Sequence, residues 1–357
     1  MSSYLDRIGA GLILNKPEIF GFDYVPEMLV GREELQGQLA SLFSTIGHPE
    51  GTGRAVVTGP VGSGKTALVK RFCDDVIRHV ADKRNIKYVH VNCRNASTAS
   101  RVMQKIVQDL DPGHPDRGLG VGELLTSLRR MLQGDNAHII VVLDEVDHLL
   151  RKSGDDIIYK LMRIDEDGDR TGTLSAILIS QEQVLDWFEN AVISRLGRSN
   201  HIRVPPYDEN GLLEIASQRR DIGLVTGACP DEILTLISQA AAPSGDARQA
   251  IELLQGAAKR AESSGRSMIE PKDVQKTVVT LPNNVDSMNI EEIPAHAMLI
   301  LLGLCRRLKN RENLTSGEAE KLYHVVCEEY GQDPKGHTTF WKHLKRLAQE
   351  DIIVSKT

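Results

Sequence analysis

Five short aliphatic and β-branched runs punctuate the first 206 residues of this chain, at 55–58, 87–92, 139–143, 174–180 and 201–204. Runs apolar at nearly every position belong to strands buried on both faces, whereas KYVHVN at 87–92 alternates apolar and polar. The stretches between them repeat at about 3.6 residues. They predict helices from Val30 to about Ile46, after Thr66 through Ala67, Leu68 and Phe72, over 98–110 and over 123–132. Strands alternating with helices predict a parallel sheet with flanking helices. Residues 1–30 carry no strong periodicity.

After Pro205-Pro206 the pattern is wholly helical, over 208–221, 230–242, 246–263 and 271–280, with Pro230, Gly245 and Pro271 at the joints. The polar stretch 283–289 reads as a linker. Three further helices are predicted at 294–308, 315–330 and 338–349, then a short strand at 352–355. The reading is therefore a three-part chain: an α/β domain at 1–206, an all-α domain at 207–282 and a terminal domain at 283–357.

Composition narrows the class. A length of 357 residues exceeds one ordinary core, and 41% hydrophobic with 26% charged residues are globular values. A net charge of −6 argues against general coating of polyanions, so any nucleic-acid surface must be local. Residues 291–357 are neutral, with ten Lys/Arg and ten Asp/Glu. The five cysteines lack metal or CxxC spacing and read as reduced core residues. No signal pattern opens the chain, and the apolar run 298–302 is far too short to span a bilayer, so a cytoplasmic, nucleoid-associated protein with no membrane partner is expected.

The chemistry centres on GPVGSGKT at 59–66, between a buried strand and a helix. Glycines at 59, 62 and 64 let the backbone turn its N–H groups around an anion, at the positive end of the following helix. Lys65 would reach the β/γ-phosphates and the Thr66 hydroxyl would bind Mg²⁺. The strand at 139–143 ends in Asp144 and Glu145, where open α/β sheets bind ligands. Asp144 would hold the metal through water, and Glu145 would orient the attacking water. Gln181 follows the strand at 174–180, and could hold that water or simply begin a loop. Arg248, in GDARQAIELL, could reach a phosphate from the lid or sit as a surface cation. On the helix at 338–349, Phe340, Leu344 and Leu347 share one face, and Thr338, Thr339, Lys342, Lys345 and Arg346 the other. An apolar back with a basic, hydroxylated front suits a reader of the DNA major groove, and equally a solvated face.

These motifs in this order resemble the AAA+ origin-recognition and cell-division-control (Orc/Cdc) initiators of archaeal type. The likeness runs through DYVPEMLVGREEL, GPVGSGKT, KYVHVNC, PDRGL, VVLDEVDHLL, SRLG and GDARQAIELL to the terminal three helices. It implies an α/β P-loop AAA+ core, a helical lid and a C-terminal winged-helix-like domain. ATP or ADP with Mg²⁺ would bind at Val30, Gly31 and Arg32 beside the adenine, at the loop Gly59, Pro60, Val61, Gly62, Ser63, Gly64, Lys65, Thr66 and Ala67, and at Arg248 as the lid's γ-phosphate sensor. Arg195 would serve a neighbouring subunit's nucleotide as an arginine finger. Arg117, in the PDRGL insertion, would touch DNA, and 338–349 would be the recognition helix. The implied function is an ATP-dependent initiator that recognises origins in double-stranded DNA and helps load the replicative helicase, together with further copies of itself or paralogous subunits.

Two departures from the family pattern bear on activity. Gln181 stands where Asn is usual, so ATP hydrolysis to ADP would be weak. The wing stops after one strand, which would lower DNA affinity. A same-architecture regulator at promoters, and an ATP-switched protein-interaction module without DNA binding, are the rival readings. A phosphotransferase lacks an acceptor-pocket signature.

Overall fold

The computed structural model describes residues 11–135, 137–164, 173–181, 184–280, 293–308, 314–349 and 353. Five parallel strands form one sheet: β1 Arg54–Thr58, β2 Ile86–Asn92, β3 His138–Asp144, β4 Thr173–Ser180 and β5 His201–Arg203, in the order β2-β3-β4-β1-β5. Seven helices accompany them: α1 Glu33–Leu42, α2 Lys65–Val80, α3 Ala99–Leu110, α4 Val121–Asp135, α5 Val146–Ser153, α6 Asp156–Leu161 and α7 Asn190–Leu196. The hydrophobic pattern predicts no helix at α5 or α6. Helices of eight and six residues span too few turns for their periodicity to stand out.

Burial on both faces explains the aliphatic strands. Along β3, Ile139, Val141 and Leu143 pack with Val102, Ile106 and Leu128 of α3 and α4. Ile140 and Val142 face the other way, onto Leu68, Val69 and Phe72 of α2. The strand registers align the carboxyl ends, pairing Thr58 with Ser180 and Asn92 with Asp144. Residues at the ends of β1, β3 and β4 are thereby delivered to one edge of the sheet, the edge where parallel α/β sheets hold ligands.

At the other end, His138 is fully buried, with Nδ1 2.6 Å from Thr173 Oγ1 and Nε2 2.8 Å from Ser175 Oγ. Burial, with a smaller contribution from the Arg84 charge, pushes its pKa down to about 3. Unfolded, the ring takes up its proton near 6.5; folded, only near 3. The stabilisation from the neutral ring is complete above pH 6.5 and is lost as pH falls toward 3. In urea titrations, stability should drop by up to about 1.4 kcal/mol per pH unit in that window. His138→Gln should flatten this slope, and an unchanged slope refutes the assignment.

The lid follows as α8 Glu209–Gly223, α9 Asp231–Ala241, α10 Ala247–Ser263 and α11 Pro271–Thr280. It belongs to the same compact unit as the sheet, which extends through Val279. Residues 11–20, which carry no periodicity, form a strap on this lid. The Asn15 and Lys16 N–H groups donate to Gly223 O, and Glu262 Oε1 accepts from Ile13 N and Leu14 N.

The second unit holds α12 Ala295–Leu308, α13 Ser316–Glu329 and α14 His337–Gln349. Its core is Ile300, Leu304, Tyr323, Cys327, Phe340 and Leu347. The Tyr323 hydroxyl lies 2.8 Å from His296 Nδ1 and accepts from Lys335 N at 2.9 Å. Thr315 and Glu318 form a reciprocal cap at the start of α13. The linker expected at 283–289 and the strand expected at 352–355 lie outside the described residues, apart from Ile353, which packs on this core. Four cysteines are buried and Cys305 is exposed. No described helix is long and apolar enough to cross a membrane.

Candidate functional site

The loop from β1 into α2 is built around glycine. Gly62 has φ +70°, and a Cβ there would fall 1.7 Å from Asp246 Oδ1, the N-cap of α10. Gly64 has φ +84° against the Tyr207 hydroxyl. A side chain at either position would cost strain, and one at Gly62 would also push the lid off the loop. The lid is tied here directly, since Ala247 N donates to Gly62 O at 3.1 Å. Two helix N-termini, of α2 and α10, therefore converge on one loop, and their dipoles favour an anion between them.

Lys65 is buried, and its ammonium donates to the carbonyls of Gly59 and Pro60 at 2.8 and 2.6 Å. Burial lowers its pKa to about 8, opposed by the carboxylates of Asp144, Glu145 and Asp246 and reinforced by Arg248. Thr66 Oγ1 donates to Asp144 Oδ2 at 2.8 Å, and His90 Nε2 is 3.1 Å from the same oxygen. Burial raises the Asp144 pKa, but hydrogen bonds from His90, Thr66 and the Glu145 N–H outweigh it, and the net shift is downward. Asp144 is thus held as a carboxylate beside a hydroxyl. Hard oxygen donors of this kind fit Mg²⁺, which would be completed by water and phosphate oxygens. Among the described residues no three His, Cys, Asp or Glu converge as a preformed metal cage.

Glu145 has φ +53° and ψ +44°, the one described non-glycine residue at positive φ. Its Oε2 is buried without a hydrogen-bond partner. Such a conformation costs about 1–2 kcal/mol for a residue with a Cβ. The residue lines a cleft together with Lys65, Thr66, Asp144, Gln181 and Arg248.

An adjoining cleft, partly open to solvent, runs from this edge to an apolar end. Leu29 and Val30 line it, with Phe20 at the end of the strap, Tyr24 and Pro26 just beyond the strap, and Ile215 and Ile251 of the lid. The loop residues Gly62, Gly64, Lys65, Thr66 and Ala67 form its floor. Gly59, Pro60, Val61 and Ser63 complete the turn, with Val61 facing the acidic end. Of the other positions expected beside the base, Gly31 takes φ +58° and does not line the cleft, and Arg32 lies buried behind it. Arg32 Nη2 donates to Ser63 O at 3.0 Å and Pro205 O at 2.9 Å, and its guanidinium lies 3.8 Å from the Tyr207 ring centroid. It braces the loop.

Arg248 is exposed at the mouth of both clefts, 5.8 Å from the centroid of Phe22. If it takes the γ-phosphate role that the resemblance implies, its charge-assisted bonds to a third phosphate would contribute about 1.5–3 kcal/mol. Arg248→Ala should therefore weaken ATP binding about 10–100-fold while changing ADP affinity less than about threefold. Equal losses for both nucleotides, read by calorimetry, would exclude a γ-phosphate role.

Arg195 lines neither cleft. Its guanidinium lies 5.3 Å from the Tyr159 centroid, and its carbonyl accepts from Arg54. Arg117 is exposed in the loop between α3 and α4. On α14, Thr338, Thr339, Lys342, Lys345 and Arg346 are exposed, while Phe340 and Leu347 are buried and Leu344 packs beside them.

Sequence reasoning missed Tyr24, His90, Tyr207, Asp246 and Arg219. Arg219 had a legible signal. Leu212, Ile215, Ala216 and Arg219 follow the spacing of one helical stripe, and a cation on an apolar stripe needs a partner. It is 6% exposed, lies 4.5 Å from the Tyr24 centroid, and has Nε and Nη1 without acceptors. Burial lowers its pKa, against the pull of Tyr24 and Tyr207.

Three family models match in succession: an AAA domain over residues 49–188, a Cdc6 AAA+ ATPase-type lid domain over 213–278 and a CDC6 C-terminal winged-helix domain over 288–357. ORC1-type DNA replication protein 1 of Sulfolobus acidocaldarius is 30% identical over 333 residues, 93% of this chain and 83% of that protein. The Aeropyrum pernix ORC1 protein, solved in complex with DNA, superposes with a TM-score of 0.71 at 25% identity, covering 97% of this chain and 91% of the other. The Aeropyrum pernix ORC2 protein in its ADP form gives a TM-score of 0.74 at 25% identity, over 97% and 92% of the two chains.

Proposed function

This chain belongs to the ORC1/Cdc6-type family of DNA replication proteins, and from that premise we propose that it is an ATP-switched, DNA-binding initiator that recognises replication origins and helps load the replicative helicase. The observation that carries the switch is a pair of adjoining clefts, both lined by Lys65 and Thr66 of the core and Arg248 of the lid. One nucleotide spanning them would touch Lys65, Thr66 and Asp144 on the core and Arg219 and Arg248 on the lid. A third phosphate reached by Arg248 gives ATP and ADP different affinities for two core–lid arrangements, which is what a population shift requires.

Within the cleft, Lys65 neutralises the β/γ-phosphates, Thr66 and Asp144 hold Mg²⁺, and Tyr207 and Arg219 with Val30 hold the nucleoside. Mg²⁺, once bound, supplies charge neutralisation on the phosphates. Glu145 orients water with its unspent oxygen. Gln181 reaches into the same space on a longer arm than the Asn usual in the family, which favours slow turnover. Arg195 acts on the nucleotide of an adjoining copy or paralogue, in keeping with its distance from its own cleft.

On the DNA side, α14 presents three cations and two hydroxyls over a buried apolar back, and an ORC1 relative of like fold has been solved with DNA. Replacing Lys342, Lys345 and Arg346 together by Ala should reduce the slope of log K against log salt by about 0.9 per lost phosphate contact. An unchanged slope favours the protein-interaction reading. Sequencing fragments of the organism's own sheared DNA retained by the ATP-loaded protein separates the rest. A few loci at replication start sites support an initiator, and scattered promoters support a regulator.

A further inference from the structure

We propose that His90 is a positioning residue for the metal site: its Nε2–H fixes the Asp144 carboxylate, and through that carboxylate turns the Thr66 hydroxyl so that its oxygen is free for a cation before one arrives. The proposal rests on the nucleotide and Mg²⁺ reading above, and adds to it a residue from a different strand.

His90 stands near the carboxyl end of β2. The parallel register sets it beside Val142 and sets Asn92 beside Asp144. His90, Asn92, Val142 and Asp144 therefore share one face of the sheet, the face on which Val142 packs against α2. Thr66 lies in the first turn of that helix. Three elements distant in sequence thus bring an imidazole, a carboxylate and a hydroxyl together.

Asp144 Oδ2 accepts from Thr66 Oγ1 at 2.8 Å and lies 3.1 Å from His90 Nε2, while Oδ1 accepts from Glu145 N at 2.9 Å. Asp144 is held as a carboxylate and has no proton to give, so the hydrogen between it and His90 belongs to Nε2. The bond to Glu145 N fixes one oxygen only, and the terminal torsion of an aspartate is broad. His90 grips the second oxygen and closes that freedom.

The consequence falls on Thr66. A hydroxyl has one hydrogen and two acceptor lone pairs. With the hydrogen committed to Asp144 Oδ2, both lone pairs turn away from the carboxylate, as a hard cation requires. His90 does not itself offer a ligand nitrogen in this arrangement, because Nε2 carries the hydrogen. Outer partners that orient the ligands of a metal typically account for about 10–100-fold in its affinity.

The test measures ADP affinity of the full chain by calorimetry across Mg²⁺ concentrations and in EDTA. His90→Phe, which fills the space without a donor, should need about 10–100-fold more Mg²⁺ for half of its effect, with affinity in EDTA within about threefold of wild type. His90→Gln, whose amide donates from a similar reach, should recover most of the Mg²⁺ dependence. A merely structural histidine would move both conditions together, so equal losses with and without Mg²⁺ overturn the proposal, as does an unchanged Mg²⁺ dependence. Should His90→Phe misfold, His90→Leu reads the same quantity. Pulsed EPR of Mn²⁺ with ADP on the wild type should show no coordinated imidazole nitrogen; such a coupling would make His90 a direct ligand and overturn the positioning role. Wild-type affinity that ignores Mg²⁺ overturns the metal reading itself, a result distinct from all of these.

Discussion

Lys65→Ala should raise the dissociation constants of both ATP and ADP by about 100-fold or more. The ammonium is buried at the meeting point of two helix N-termini, where it now spends its donors on the loop carbonyls of Gly59 and Pro60. A phosphate entering the loop would take over those donors as charge-assisted bonds, each contributing about 1.5–3 kcal/mol. Two such bonds correspond to two or more decades of affinity. Because ADP retains the β-phosphate, both nucleotides should suffer, which separates this variant from Arg248→Ala. A pH dependence accompanies it. With a pKa lowered to about 8 by burial, Lys65 is cationic below that pH, and the free protein's affinity should fall as pH rises through it. Lys65→Arg, charged throughout, should show no such fall. Calorimetry from pH 7 to 9.5 reads both effects, and wild-type affinity in the Ala variant would refute the phosphate-loop assignment.

Glu145→Gln should leave ATP affinity within about threefold and cut turnover by about 100-fold or more. General-base positioning of water contributes about 10²–10⁴ in rate, and the amide keeps the shape while losing the basic oxygen. Single-turnover conditions, with protein in excess over ATP, resolve the step even where Gln181 makes it slow. The left-handed backbone adds a second reading. Glu145→Gly removes the steric cost at φ +53°, so it should keep or raise the melting temperature while abolishing hydrolysis. A strained residue whose relief helps stability and harms activity is held there for its chemistry. Retained turnover in both variants would show that Glu145 does not position the water.

Local features of the chain were enough to read much of this protein. Strands buried on both faces write themselves as unbroken aliphatic runs, so β1, β3 and β4 were legible, as was their parallel arrangement with helices between. The glycine-rich turn from β1 into α2 was legible from its glycines, lysine and hydroxyl. The place of Asp144 and Glu145 at the carboxyl end of β3 was legible from their standing directly after a buried strand. The periodicity of α14 separated its basic front from its apolar back, and those two faces differ in exposure as expected.

What only tertiary structure decided is everything that depends on residues distant in sequence. The strand order, with β1 between β4 and β5, is set by pairing across loops, and no local pattern encodes it. The strap at 11–20 has no periodicity because it completes another element's surface, and its bonds to Gly223 and Glu262 span more than two hundred residues. The resemblance implies a place beside the adenine for Arg32, and in the structure its guanidinium reaches behind the loop to Ser63 and Pro205. Tyr24, Tyr207 and Arg219 come from the stretch after the strap, a connection and a lid helix, and meet only after folding. Short-range periodicity reports which face of an element is buried; which partner buries it is a property of the assembled chain.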